Sequence, residues 1–184
     1  MEELEYYDKF EQHLQLELLR LCHSLGELDQ ILPESADITG KWNDLATPYM
    51  ADAVEQIKDY PEAAIAWAAY MGMAVARWWD EDWAVHQGQP YDSLYGPHGF
   101  DDMDDYIMEH ILQHPLGSPE AEKITSTIYS CTQKAISIIR KEQIEFGTEK
   151  AFYVLCRTVA VLYRIGAGLQ LKRMGYKFEK IRYN

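Results

Sequence analysis

Ala64-Ile65-Ala66-Trp67-Ala68-Ala69-Tyr70-Met71-Gly72-Met73-Ala74-Val75-Ala76 is the stretch that decides the fold. It is apolar on every side of a helix, which marks a helix surrounded by others, and its small residues let those neighbours come close. Just upstream, Asp59-Tyr60-Pro61-Glu62 has the spacing of a capping box, so the helix opens there and runs to about His86.

Working back towards the N-terminus, Leu14, Leu18, Leu21, Leu25, Leu28 and Leu32 alternate spacings of four and three, and Tyr7 and Phe10 extend the stripe. This predicts one long amphipathic helix ended by Pro33. Thr47-Pro48 reads as an N-cap followed by proline in the first turn, which predicts a helix from Pro48 to about Asp59, with a short turn before it around Trp42 and Leu45.

Towards the C-terminus, the glycines and prolines of 87–99 exclude regular structure and leave a loop carrying Tyr91, Tyr95 and His98. Asp101 is expected to cap a shorter helix to about His114, Ser118-Pro119 a longer one ending near Gly147, and Thr148 a last one to about Gly175. The tail from Tyr176 to Asn184 is basic and aromatic, and the pattern leaves strand, turn and extended arm open. The fold class is all-α, with about six helices in a single domain over 1–184.

The two halves share short identities. Pro33-Glu34 and Ile38-Thr39 recur 86 residues on as Pro119-Glu120 and Ile124-Thr125. Glu55-Gln56-Ile57, Glu62, Ala64 and Arg77 recur 87 residues on as Glu142-Gln143-Ile144, Glu149, Ala151 and Arg164. Two readings follow: a simple bundle, or a pseudo-duplicated pair of three-helix units over 1–97 and 98–184.

Thirty acidic residues against 17 basic ones give a formal net charge of −13, which repels phosphate backbones and anionic membranes. Nucleic acid and membrane are therefore not expected partners, and a protein partner would be basic. The same excess also serves solubility alone. Cys22, Cys131 and Cys156 are far apart in sequence, each within an apolar helical pattern, and read as reduced, buried thiols of a cytoplasmic protein. The start Met1-Glu2-Glu3 is acidic where a secretory signal is basic, and no apolar run is read as long enough to span a membrane.

Arg77 and Arg164 each interrupt an apolar helix, and a guanidinium there needs a carboxylate such as Asp44 or Asp80, or an anionic ligand. Trp78-Trp79-Asp80-Glu81-Asp82-Trp83 follows, with Trp79, Trp83 and His86 on one helical face and Asp82 four residues before His86. A carboxylate and imidazole so spaced can relay a proton or hold a divalent cation, although tryptophans at helical spacing are more often core. Arg77, Trp79, Asp80, Asp82, Trp83, His86 and Arg164 are the candidate pocket. His110 and His114, also four apart, are weak metal candidates, with His98 a conceivable third ligand. The acidic run 101–105 opens a helix, where aspartates cap free N–H groups without any ligand.

No glycine-rich phosphate loop, nucleophile elbow or complete metal motif is present, and no cofactor is expected. The leading expectation is a noncatalytic binding or regulatory protein, protein-interacting and able to form a homodimer. The alternative is a metal-assisted or acid/base enzyme acting on a small anionic molecule, with an arginine as clamp, His86 moving the proton and Asp82 orienting it.

Overall fold

The computed structural model describes residues 2–56, 61–145 and 147–176. Within them the chain is all-α, with six helices and no strand. These are α1 (Glu2–Ser24), α2 (Ala36–Gln56), α3 (Pro61–His86), α4 (Met103–Tyr106, continued by a π turn over Ile107–Ile111), α5 (Pro119–Lys141) and α6 (Glu149–Arg173).

α3 and α6 form the centre. They run in the same direction: Ile65 shares a cavity with Val154 and Leu155, Ala69 meets Gly166, and Arg77 stands beside Gln170 and Arg173. The small residues of α3 do what its sequence predicts. A Cβ on Gly72 would collide with the Tyr163 carbonyl oxygen, and a Cβ on Gly166 with the Ala69 carbonyl oxygen. These contacts are reciprocal, pairing Gly72 with Gly166 and Ala69 with Tyr163, at a different offset from the one that aligns Arg77 with Arg164. Around the pair, Met71, Met73, Val75, Val161, Leu162 and Ile165 are fully buried. Each such side chain contributes about 1.5–3 kcal/mol on leaving water.

α1 lays Tyr7, Phe10, Leu14, Leu18 and Cys22 on this core, one face at helical spacing. It is shorter than its leucine stripe predicts. Gly26 takes φ +77, and Glu27 N–H donates to the Cys22 carbonyl (2.9 Å), a left-handed C-terminal cap that ends the helix before Pro33 is reached. Leu28 and Leu32 are still buried, now from a loop, whereas Leu25 turns outwards.

α2 departs further. It begins at Ala36 and carries Pro48 in its interior, so Thr47-Pro48 is not its start. Proline there forfeits one helical hydrogen bond. The buried run Ile38, Leu45, Tyr49 and Ala53 crosses the proline on one face, and tertiary packing outweighs that local loss. Tyr49 donates to the Ala64 carbonyl, and Tyr163 donates to the Ile38 carbonyl at 2.6 Å. Lys41 is buried, and its Nζ donates to the Gln87 and Gln89 carbonyls, both at 2.8 Å. An ammonium at a helix C-terminus satisfies free carbonyls and complements the dipole, so Lys41 ties α2 to the end of α3.

Pro61 is the first residue of α3. The proposed cap Asp59 lies outside the described residues, as does the tail beyond Tyr176. Ser118 and Thr148 cap α5 and α6 as expected, each side-chain oxygen accepting at 3.2 Å from the third residue on, Ala121 and Ala151. α5 stops at Lys141 rather than near Gly147, with Gln143 at φ 53. The 87–99 loop contains a 3₁₀ turn over Tyr91–Leu94, with Leu94 buried. Asp101 does not cap α4: Asp102 stands at its N-cap with no side-chain bond, a 3₁₀ turn over Phe100–Asp102 precedes it, and within the acidic run Asp104 Oδ1 accepts from the first-turn N–H of Asp105 (2.9 Å).

α6 meets the length and hydropathy required to cross a membrane, which the sequence reading denied to every segment. Two-thirds of its apolar window is buried inside the fold (67%), as in the core helix of a globular protein.

Candidate functional site

The helix α3 is not straight at its end. Asp82 leaves helical geometry (φ −169°, ψ 94°), and its Oδ1 accepts from the Val85 N–H (3.3 Å), capping the turn that follows. The kink folds His86 back until its ring stacks on Trp78, with centroids 5.8 Å apart and planes 13° from parallel. His86 therefore meets Glu81 (Nε2 to Oε2, 3.3 Å), and Asp82 is engaged as a cap instead of orienting it.

Glu81 has a second role. Its Oε1 accepts from Arg77 Nε (3.0 Å), so this one carboxylate stands between two cavities. On the His86 side is a polar chamber of about 450 Å³ lined by Trp78, Glu81, His86, Tyr106, His110 and Gln113, among others. On the Arg77 side is a chamber of about 420 Å³ lined by Arg77, Leu112, His114, Gln170, Arg173 and Met174.

The segment between α4 and α5 forms the wall. Its π turn closes with Leu112 N–H on the Ile107 carbonyl (2.8 Å) and His114 N–H on the Met108 carbonyl (2.9 Å), Gln113 adopting φ 63 at the corner. That wide turn and abrupt stop place His110 in the polar chamber and His114 in the arginine chamber. The two imidazoles expected on one helix face do not share a site. Among the described residues no group of three or more His, Cys, Asp or Glu is placed to hold a metal ion. His98 is exposed on the loop.

In the arginine chamber, Arg77 spends only Nε on Glu81. Arg173 Nη1 lies 3.7 Å from Glu27 Oε2. Gln170 is 5% exposed, and its Oε1 has no hydrogen-bond partner. A buried, unpaired amide oxygen is costly, which singles this position out. The field there is positive. His114 is held below the ordinary histidine range, first by burial, then by Arg173 and Arg77, with Glu120 pulling the other way.

The remaining sequence candidates lie elsewhere. Arg164 donates from Nε to Gln15 Oε1 (2.7 Å) and approaches Glu11 (3.6 Å) on α1, away from Arg77. Neither arginine pairs with Asp44 or Asp80. Trp79 donates to Asp37 (3.2 Å), Asp80 accepts from the Tyr176 hydroxyl (2.6 Å), and Trp83 packs half-buried on the core. In the polar chamber the Nδ1 of His86 is sealed from solvent without a partner, and Nε2 faces Glu81. Both nitrogens are thus occupied or enclosed, an arrangement that holds the kink in place.

Arg173 and Gln170 were missed in the sequence. Lys172-Arg173 reads as ordinary cationic charge at a helix end, and a lone Gln gives no signal. A largely apolar cavity of about 510 Å³ is also present, lined by Ala53, Val54, Ile65, Ile136, Phe152 and Leu155, among others.

Compared with protein-family models, with curated proteins and with solved structures, the chain matches none.

Proposed function

We propose that this protein is a noncatalytic helical binding module for a small oxyanion, held in the chamber between the ends of α3, α4 and α6. The observation that carries this reading is the convergence of Arg77 and Arg173 on one cavity, also lined by Gln170, whose carboxamide oxygen is buried without a partner. Two guanidiniums supply forked donors suited to carboxylate, phosphate or sulfate. Gln170 can accept from a hydroxyl on the ligand or, after a half-turn of its amide, donate to an oxyanion. His114, held below its ordinary range by burial and then by the arginines, adds one N–H and gains a proton more readily once an anion offsets their charge.

This keeps the binding role expected from the sequence and takes the anionic ligand from its alternative, with Arg173 in the place of Arg164. A cationic chamber in a chain of net charge −13 also screens out large polyanions, because the surrounding surface repels them.

Calorimetric titration with inorganic phosphate tests the proposal. The native protein should bind at one site, and Arg77→Ala and Arg173→Ala should each weaken binding about 10- to 100-fold, the usual worth of a charge-assisted hydrogen bond. Binding unchanged by both substitutions, or no binding of phosphate, sulfate or acetate, would refute it.

A further inference from the structure

Cys22 on α1 and Cys131 on α5 are 109 positions apart in the chain, and their sulfurs are 3.3 Å apart. Both side chains are at most 1% exposed. The burial expected for the cysteines holds for Cys22 and Cys131, whereas Cys156 is only half-buried; the pairing of the first two gives no signal in the sequence. A buried thiol pair serves packing no better than Ala or Val would, and brings a redox reactivity those residues lack.

We propose that Cys22 and Cys131 form an oxidisable dithiol site that closes to a disulfide on exposure to a hydroperoxide. A disulfide needs sulfurs about 2.0 Å apart, so closure asks for an approach of about 1.3 Å, within the reach of side-chain rotation at two adjoining helices. The reaction balances in two steps. One thiolate attacks the terminal peroxide oxygen, breaking the O–O bond and becoming a sulfenic acid as alcohol or water leaves. The second sulfur then attacks the first, the S–S bond forms, and the hydroxyl departs as water. Two electrons pass from the sulfurs to the peroxide.

Burial governs the rate. The bond from Cys22 and desolvation together hold the Cys131 thiol far above its usual range, so the closed pair stays protonated and unreactive. Oxidation waits for α1 to lift. Its outer contacts, such as Lys134 with Glu17 (3.9 Å) and Arg157 with Asp8 (2.7 Å), are partly solvent-exposed ion pairs of the kind that open easily. Once formed, the bond staples the N-terminal helix to the second half of the chain and closes a long loop.

The test is to treat the full chain with hydrogen peroxide, alkylate remaining thiols, and map the peptides by mass. The expected product is a Cys22–Cys131 cross-link lower in mass by two hydrogens, reversed by dithiothreitol, with Cys156 still alkylatable or separately oxidised. The thermal midpoint should rise by roughly 10 °C, as for a cross-link spanning a loop of this length. Oxidation should accelerate in mild denaturant, and Cys131→Ser should abolish the cross-link. Two thiols that stay separately alkylatable after peroxide in mild denaturant, or a cross-link to Cys156 instead, would overturn the proposal. The mapping on the native chain decides the matter even if the serine variant folds poorly.

Discussion

At the scale of single residues, His114 makes the chamber sensitive to pH, and the sign follows from its surroundings. Burial and two guanidiniums favour its neutral form, so its folded pKa lies below the unfolded value of about 6.5. Its contribution to stability is therefore present above about pH 6.5 and is lost as pH falls from there through the folded value. Anion binding reverses the balance, because a bound oxyanion offsets the arginines and favours the protonated ring. Binding then takes up a proton, and affinity rises as pH falls. Sulfate is the suitable probe, since its charge is constant over this range. Its affinity should increase several-fold between about pH 7.5 and 5.5, and His114→Gln, which keeps a donor, should flatten the profile. A native profile that is already flat would remove His114 from the site. This residue was legible in the sequence only as a weak metal candidate. Its real neighbours, Gln170 and Arg173, come from a helix some 60 positions away, and only the packing of α6 on α3 brings them together.

Among the elements, the pair α3 and α6 carries the architecture, and its closeness depends on glycine at two crossing points. An Ala in place of Gly72 gains about 1 kcal/mol of helix propensity. Its methyl, however, would drive into the Tyr163 carbonyl, a backbone atom that cannot swing aside. Overpacking of this kind costs about 1–3 kcal/mol or more, so the collision wins. Gly72→Ala and Gly166→Ala should each lower the thermal midpoint by several degrees, measured by circular dichroism. A stabilised Gly72→Ala would mean that the helices stand further apart than described. The all-apolar character of residues 64–76 and the caps at Ser118 and Thr148 were readable because they are local chemistry: burial on all sides, and a hydroxyl meeting a free N–H. The start of α2 and the kink at Asp82 were not. Pro48 is a local signal for a boundary that the buried face of Ile38, Leu45 and Tyr49 overrides, and the kink depends on His86 finding Trp78 and Glu81.

For the whole molecule, four helices around one parallel pair leave their chemistry at one end, where α3 kinks, α4 turns and α6 stops. Glu81 links the two chambers there, and the rest of the surface keeps its acidic excess. The sequence placed Arg77 and His86 at this end and assigned them one pocket, although about two and a half turns of regular helix already set them on opposite faces. Both meet Glu81, Arg77 at one carboxylate oxygen and His86 at the other. On the proposed function, a small oxyanion binds on the Arg77 side of this carboxylate. The most direct test is a nuclear magnetic resonance titration of the native protein with phosphate, following the arginine Nε–H signals and the histidine rings. Saturable shifts are expected at Arg77, Arg173 and His114, with Arg164 and His110 unmoved. Shifts centred on His86 and His110, or none at all, would contradict it.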